Sequence, residues 1–451
     1  MALKTGRGKD KITFTRIFHR IVGTGPIADV FSNMAILTSG NIAARAISVV
    51  TVPIISRMYT PQDFGALALY ASTLSLLAPL TTFRYSMTIP LPRNERSAIN
   101  LVFLCLAIQF LIAAVVSVFF VFSGERIIAY FSMEPLIPYR WLLPIGVFGI
   151  GIYETFSFWA TRVKAFTSIA KTKASQAFFS ASVKIGFGFL GIRPFGLLLG
   201  HLASQIAGLL LLIREFRKAD FSFRKTVTVK KMSFLAKRYS KFPKYQIPSR
   251  FLLALAVQMP VFFIAATYGT DIAGFFGMAV TIVALPMHLF GQTLSQAYYG
   301  EIARMGKSRI GAIRQLSIGL MKRLFFVSVP FFLIFVFFAP DLFRIVLGER
   351  WIEAGKFAVF LSFYLLSQFI SSPFVHTLNV LEMQSLFFLL NATRVGFLFV
   401  LFAICKFFSL PPMYSVAAYS FFLTAHYLFT LFIILRTLYK KERSFVNSFE
   451  A

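Results

Sequence analysis

Long apolar stretches recur along the whole chain and predict twelve membrane-spanning helices. An α-helix needs about 20 apolar residues to cross the hydrocarbon core of a bilayer. The stretches do not alternate between apolar and polar positions as the strands of a membrane barrel do, and residues 324–339 show this clearly. We expect spans at residues 31–56, 64–83, 98–122, 141–161, 174–191, 195–213, 248–268, 272–294, 320–339, 357–378, 385–405 and 414–435. The pattern therefore indicates an all-α, polytopic membrane protein.

The composition supports this fold class and excludes a soluble nucleic-acid-binding protein. The chain has 451 residues, of which 57% are hydrophobic and 14% are charged. A soluble domain is about 45–50% apolar and about 25% charged. The formal charge of +29 would by itself be typical of a nucleic-acid binder. Because so apolar a chain would be insoluble, we expect membrane lipids and no nucleic acid as partners.

The positive charges are distributed unequally between the two ends of the predicted spans. Of the 46 Lys and Arg residues, 35 lie in the N-terminal arm, the C-terminal tail and the loops on the same side. Eight lie on the opposite side and three lie inside spans. Cytoplasmic loops carry the excess of Lys and Arg in membrane proteins. This distribution predicts that both termini are cytoplasmic.

The chain has the organisation of a duplicated unit. Tyr59 and Tyr268 each precede a short turn and a span that contains a proline, and they lie 209 residues apart. A basic amphipathic stretch precedes the first span of each copy, at residues 11–22 and 233–245; the first either lies on the membrane or is a flexible arm. Six spans in each copy give a parallel repeat, which places a substrate path between the halves. We expect a basic cytoplasmic arm (1–30), an N-terminal six-helix bundle (31–213), a basic cytoplasmic linker (214–247), a C-terminal six-helix bundle (248–435) and a cytoplasmic tail (436–451).

Three cations inside the predicted spans are the strongest candidates for a binding site. Arg45 lies in span 1, Lys184 in span 5 and Arg394 in span 11, and the last two are 210 residues apart, as the repeat requires. Each costs about 2.5–3.5 kcal/mol at the centre of a membrane helix, so we expect them to face a cavity or a partner. A surplus of positive charge there would bind an anion, and phosphate suits the bidentate guanidinium of arginine best.

Glu154, in span 4, is the only acidic residue inside the predicted spans. It is either the ion-pair partner of one interior cation or a group that couples transport to protons. The histidines lack the spacing of a metal site, and Cys105 and Cys405 lie in apolar stretches as small core residues do. We therefore expect no metal, no cofactor and no catalytic residue.

The first two predicted spans include the segment from Ser39-Gly40-Asn41 through Ile55-Ser56-Arg57-Met58-Tyr59-Thr60-Pro61-Gln62-Asp63-Phe64-Gly65. This segment resembles the first two spans of bacterial polysaccharide transporters, the Wzx-type O-antigen flippases. These belong to the multidrug/oligosaccharidyl-lipid/polysaccharide exporter superfamily. The segments Thr82-Phe83-Arg84-Tyr85-Ser86 and Ile89-Pro90-Leu91-Pro92 share this resemblance. It covers residues 35–95, and the remainder agrees in length, span number and duplication.

The resemblance implies two six-helix bundles in a V. It also implies transfer of an undecaprenyl-pyrophosphate-linked oligosaccharide, an O-antigen, capsule or exopolysaccharide unit, from the cytoplasmic to the outer leaflet of the bacterial inner membrane. The family is expected to hold the pyrophosphate in a cationic cavity, to which we assign Arg84 and Arg250 besides the three interior cations. A polysaccharide polymerase and a chain-length regulator would be its partners.

Two other functions compete with the flippase. A membrane-embedded glycan polymerase or glycosyltransferase would use carboxylates on a large outer loop, whereas Asp341, Glu349 and Glu353 share one short loop with Arg344 and Arg350. An exporter of small cationic molecules would carry interior carboxylates, and this interior is net positive. We therefore expect a transporter and not an enzyme.

Overall fold

The computed structural model describes residues 26–130, 134–218, 227–306 and 309–450, and these residues form helices joined by short turns. The predicted arm up to residue 25, including the stretch 11–22, and residues 219–226 of the predicted linker lie outside the described residues. The N-terminal half comprises α1 (Pro26–Met58), α2 (Pro61–Leu77), α3 (Glu95–Phe122), α4 (Gly124–Tyr130), α5 (Leu142–Arg162), α6 (Phe166–Phe189), α7 (Phe195–Ile206) and α8 (Leu209–Arg217). After α9 (Val229–Arg238), the C-terminal half comprises α10 (Lys241–Tyr268), α11 (Thr270–Val283), α12 (Gln292–Met305), α13 (Ile310–Leu347), α14 (Ile352–Ser371), α15 (His376–Val380), α16 (Gln384–Phe407) and α17 (Pro412–Glu450).

Each of the twelve predicted spans corresponds to helical structure. Among the described residues, ten stretches are long and apolar enough to cross a membrane, and α11 is a shorter apolar helix. The remaining span is α6, which contains Lys171, Lys173 and Lys184. Many apolar side chains on the outer surfaces are exposed, for example Val327 (76%) and Phe337 (69%) on α13. Such exposure is expected of helices that face lipid instead of water.

The helix ends follow local turn chemistry, and several differ from the predicted bounds. Thr60 caps α2: its side chain accepts from the Asp63 amide, and the Asp63 carboxylate accepts from the Thr60 amide at 2.8 Å, which is a capping box. The predicted span 272–294 is not one helix, because α11 ends at Val283 and a π-helical turn (Met287–Gly291) follows Pro286. The predicted basic stretch 233–245 is likewise divided between α9 and α10.

The two halves meet along α2, α10 and α11. Gly65 of α2 and Gly274 of α11 allow these helices to approach closely, since a Cβ atom on either would overlap the backbone of the other helix. The ends of the helices also touch on the side that carries Arg57 and Arg350, which we call the outer side. There the Trp351 indole donates to the Ser56 carbonyl at 3.0 Å, and the Ser56 hydroxyl lies 3.2 Å from the Leu347 carbonyl. The opposite side, which carries Arg84, Arg250 and α9, is called the basic side.

Candidate functional site

A cavity of about 890 Å³ lies between the two halves, in the middle of the bundle. Its walls come from α1, α2, α6 and α7 of the N-terminal half and from α10, α11, α14, α16 and α17 of the C-terminal half. Arg45, Lys184 and Arg394 all line this central cavity. The structure therefore brings together three cations that lie far apart in the sequence.

Lys184 reaches the cavity from α6 because the neighbouring helix leaves room for its side chain. A Cβ atom on Gly200 of α7 would lie 2.4 Å from the Lys184 Cγ, so any larger residue would displace the lysine stem. The Tyr59 hydroxyl donates to the backbone carbonyl of Lys184 at 2.7 Å and ties this part of α6 to the end of α1. Arg45, on α1, is partly buried and faces the same space beside Ser48.

Arg394 is the most deeply buried of the three cations, with 8% of its surface exposed. Its Nη1 donates to the Tyr427 hydroxyl at 3.3 Å. Its Nε and Nη2 atoms are buried and have no hydrogen-bond partner among the described residues. A buried donor without a partner costs about 1–3 kcal/mol and more when it is charged, so these two atoms can donate to any oxygen acceptor that enters the cavity.

The described ion pairs leave the three cavity cations without a carboxylate partner. Most of these pairs lie at helix ends, such as Arg344–Asp341 at 3.0 Å and Lys356–Glu353 at 2.6 Å. No group of three or more potential metal ligands occurs within the described part of the chain. The central cavity is therefore net positive and suits an anion with several oxygen atoms.

A second cavity, of about 510 Å³, continues the first toward the basic side. Arg84, Glu154 and Arg250 line this mouth cavity, and Arg250 is exposed. Ser75 and Gln258 line both cavities. The five predicted cations thus divide into three central ones and two at the mouth.

Glu154 pairs with Arg84 at the mouth, so the hypothesis that it neutralises Arg45, Lys184 or Arg394 is wrong. Its Oε1 accepts from Arg84 Nη1 at 2.8 Å and from the Ser86 hydroxyl at 3.0 Å. The pairing depends on the loop between α2 and α3, whose conformation the sequence pattern did not predict.

The loop that carries Arg84 has an unusual backbone. Phe83 (φ 46°) and Arg84 (φ 61°) are consecutive non-glycine residues in the left-handed region. Each such residue costs about 1–3 kcal/mol and persists only where the surroundings impose it. Here Thr82 donates to the Ser86 hydroxyl at 3.1 Å, and both side chains are fully buried. The loop therefore holds the Arg84 guanidinium against Glu154 and the mouth cavity.

Several cavity residues were not identified from the sequence. Tyr364, Tyr419, Tyr427, His201 and Gln258 all line the central cavity. Tyrosines within apolar spans carry no signal that separates a cavity wall from a lipid-facing surface. The positions 3–4 residues apart on α14 and α17 indicate a shared face, but not which face points inward.

Comparison with known proteins agrees with this architecture. A family model described as "Polysaccharide biosynthesis protein" matches residues 54–356, which is more than half of the chain. No curated protein matches the chain at a significant level.

Solved structures with the same fold are membrane transporters. A lipid II flippase, MurJ, in an inward closed conformation has a TM-score of 0.70 and 15% identity, covering 90% of each chain. An inward-facing multidrug resistance MATE family transporter of the MOP superfamily has a TM-score of 0.57 and 14% identity, covering 90% of this chain and 96% of the other. A MATE transporter from Vibrio cholerae has a TM-score of 0.52 and 11% identity, covering 96% and 100%. These similarities confirm the predicted all-α fold of two related halves with six spans each.

Proposed function

Because the chain belongs to the polysaccharide biosynthesis protein family, we propose that it is a flippase for a polyprenyl-pyrophosphate-linked oligosaccharide. The substrate would be an undecaprenyl-pyrophosphate-linked unit of O-antigen, capsule or exopolysaccharide, moved from the cytoplasmic to the periplasmic leaflet. The main support is the central cavity, which is lined by Arg45 and Lys184 from the N-terminal half and by Arg394 from the C-terminal half. None of the three has a carboxylate partner among the described residues.

The pyrophosphate would bind between these three cations. Arginine and lysine form their strongest hydrogen bonds with phosphate and carboxylate oxygens. A pyrophosphate offers enough oxygen atoms to reach both halves and to satisfy the free Nε and Nη2 donors of Arg394. At the mouth, Arg250 would attract the anion from the basic side before it enters the central cavity, whereas the charge of Arg84 is balanced by Glu154.

The contacts between the halves support entry from the basic side. On the outer side, Ser56, Leu347 and Trp351 hold the halves together. On the basic side, the mouth cavity leads inward past Arg250. By the positive-inside rule the basic side is cytoplasmic, so the protein would be in a state that accepts substrate from the cytoplasm. Transfer then requires a second state in which the outer contacts break and the mouth closes.

The polyprenyl tail would stay in the membrane, since each buried CH₂ group favours lipid over water by about 0.8 kcal/mol. The two boundaries between the halves that face the lipid differ in how tightly their helices pack, and the looser one suits such a tail. α10 packs along α2, whereas the equivalent pair, α1 and α11, makes no comparably extensive contact among the described residues. The tail would leave the cavity between α1 and α11, beside Arg45.

The localisation and partners follow from this function. The protein would lie in the bacterial inner membrane with cytoplasmic termini. On the periplasmic side the product would pass to a polysaccharide polymerase with its chain-length regulator.

The test is a flipping assay with purified protein in proteoliposomes. The substrate is a fluorescent undecaprenyl-pyrophosphate-linked oligosaccharide, whose transfer between leaflets is followed by quenching from one side. The double variant Lys184→Ala/Arg394→Ala should lose transfer, whereas Lys406→Ala should retain it, because Lys406 is an exposed cation at the end of the same helix as Arg394. Transfer at the wild-type rate in the double variant would overturn the assignment of the pyrophosphate site. Formation of new glycosidic bonds by the purified protein would favour a polymerase or glycosyltransferase instead.

A further inference from the structure

The two walls of the central cavity differ in their chemistry. The N-terminal half contributes two cations, Arg45 and Lys184, with serine hydroxyls from α1, α2, α6 and α7. The C-terminal half contributes one cation, Arg394 from α16, and three tyrosines, Tyr364 from α14 and Tyr419 and Tyr427 from α17. All the tyrosines among the described lining residues belong to the C-terminal half. We call Tyr364, Tyr419 and Tyr427 the tyrosine wall.

The rings of the tyrosine wall are fixed by their neighbours. The Tyr364 and Tyr419 rings are 5.5 Å apart and tilted by 66°. Tyr419 also stacks on Phe402 at 6.0 Å and contacts the edge of Phe276 at 5.9 Å. Tyr364 and Tyr419 are each 6% exposed, and that small exposed part lines the cavity. Rings held in this way lose little conformational entropy when they contact a ligand.

The wall also carries hydrogen-bonding groups that suit neutral hydroxyls. Because the Tyr427 hydroxyl accepts from Arg394 Nη1, its own proton remains available to a ligand acceptor. The Gln368 amide lies one helical turn after Tyr364 and lines the same cavity. An aromatic surface with amide and hydroxyl groups matches a sugar ring, which presents apolar C–H faces and a rim of hydroxyls.

We propose that the tyrosine wall and Gln368 bind the sugar directly attached to the pyrophosphate, so that glycan specificity resides in the C-terminal half. This inference rests on the proposed function. The covalent structure of the substrate requires the first sugar to lie beside the pyrophosphate, and the cations account for the phosphate oxygens alone. A site built to bind hydroxyls through hydrogen bonds also rejects head groups that lack them.

The test compares two lipids that differ in the glycan. Wild type and variants in lipid nanodiscs are titrated with undecaprenyl pyrophosphate and with its oligosaccharide-linked form, and both affinities are measured by native mass spectrometry. The variants are Tyr364→Phe/Tyr419→Phe and Gln368→Leu, which keep the size of the side chains and remove their hydrogen-bonding groups. Tyr414→Phe is the matched control, because Tyr414 is on α17 but 65% exposed.

We expect each lost hydroxyl or amide to weaken binding of the oligosaccharide-linked lipid by about 3- to 10-fold, as one lost hydrogen bond does. Binding of undecaprenyl pyrophosphate should stay within twofold of wild type, by the same reasoning, and Tyr414→Phe should change neither affinity. An unchanged affinity for the glycosylated lipid overturns the inference. So does an equal loss for both lipids, because the side chains would then act on the pyrophosphate or on the fold.

The behaviour of the wild type separates this inference from the proposed function. Equal wild-type affinity for undecaprenyl pyrophosphate and its oligosaccharide-linked form would overturn the proposed sugar site. It would remain consistent with the proposed pyrophosphate site. Binding of neither lipid would overturn the proposed function and the inference together.

Discussion

Gly65 of α2 and Gly274 of α11 lie against each other's helices at equivalent positions of the two halves. A Cβ atom on Gly65 would lie 1.9 Å from the Thr270 carbonyl oxygen, and one on Gly274 would lie 1.9 Å from the Pro61 carbonyl oxygen. Gly65 and Gly274 are 209 residues apart in the sequence. The same separation holds for Pro61 and Thr270, which provide the two carbonyls, and for Tyr59 and Tyr268. The contact is therefore the symmetric crossing point of the duplicated halves.

We predict that Gly65→Ala separates the halves at this crossing. The new methyl group would meet backbone, which cannot rotate away as a side chain can. Alanine normally stabilises a helix interior by about 0.5–1 kcal/mol relative to glycine, so a lower unfolding temperature in detergent would report the clash. Gly186→Ala is the control, since no atom lies within 4 Å of its Cβ position, and it should raise that temperature. If Gly65→Ala behaved like Gly186→Ala, the crossing would have to be looser than described.

The outer closure should depend on Trp351. This residue is 1% exposed, and its ring contacts the Phe64 ring edge-on at 5.0 Å. Trp351→Ala should destabilise the protein by about 3–5 kcal/mol, the usual cost of a large buried cavity. Trp351→Phe keeps a ring and loses the bond to the Ser56 carbonyl, which costs about 1 kcal/mol.

The Trp351→Phe variant also tests whether the Trp351 contact keeps the two halves closed on the outer side. Spin labels on Arg193 and Arg350, exposed residues of different halves on the outer side, should move apart in Trp351→Phe. Trp141→Phe is the control, because Trp141 is 50% exposed. An unchanged distance distribution in Trp351→Phe would contradict a gating role for this contact.

Much of the fold could be predicted from the sequence, because the membrane imposes both length and polarity on each helix. The breaks at Gly208 and after Val283 were missed, since apolar content continues across them and a local φ of 77° at Gly208 decides the geometry. Lys184 and Arg394 are separated by about one repeat length, which predicted similar depths in the membrane, and the structure places both cations in one cavity.

The partner of Glu154 could not be predicted in the same way. Arg84 reaches it only because Phe83 and Arg84 adopt left-handed backbone conformations, which tertiary packing imposes against local preference. The tyrosine wall was missed for another reason. A tyrosine in an apolar helix is compatible with lipid, core or cavity, and the choice depends on how the helices are rotated in the bundle.

The Arg84–Glu154 pair should show strong energetic coupling in a double-mutant cycle. The two side chains are 15% and 18% exposed, so removing one leaves a largely buried charge without its partner. We expect Arg84→Ala/Glu154→Ala to cost less than the sum of the single variants by about 0.5–3 kcal/mol, measured by chemical unfolding in detergent. The Lys356–Glu353 pair, 47% and 48% exposed, is the control and should couple by less than about 1 kcal/mol. Equal coupling energies in the two pairs would mean that Arg84 and Glu154 are more accessible to water than their low exposure indicates.

Arg394→Met should make the free protein more stable while it abolishes the response to ligand. Arg394 is buried with two unpaired donors among its described contacts, and a charge in this position costs about 2.5–3.5 kcal/mol. Methionine has a similar length and no charge, so the unfolding temperature without ligand should rise. Undecaprenyl pyrophosphate should raise this temperature for wild type and not for the variant, because a ligand stabilises only the protein that binds it. Lys406→Met, on the same helix but exposed, should keep the ligand response. A lower unfolding temperature for ligand-free Arg394→Met would show instead that Arg394 stabilises the empty cavity, for example through the Tyr427 hydroxyl.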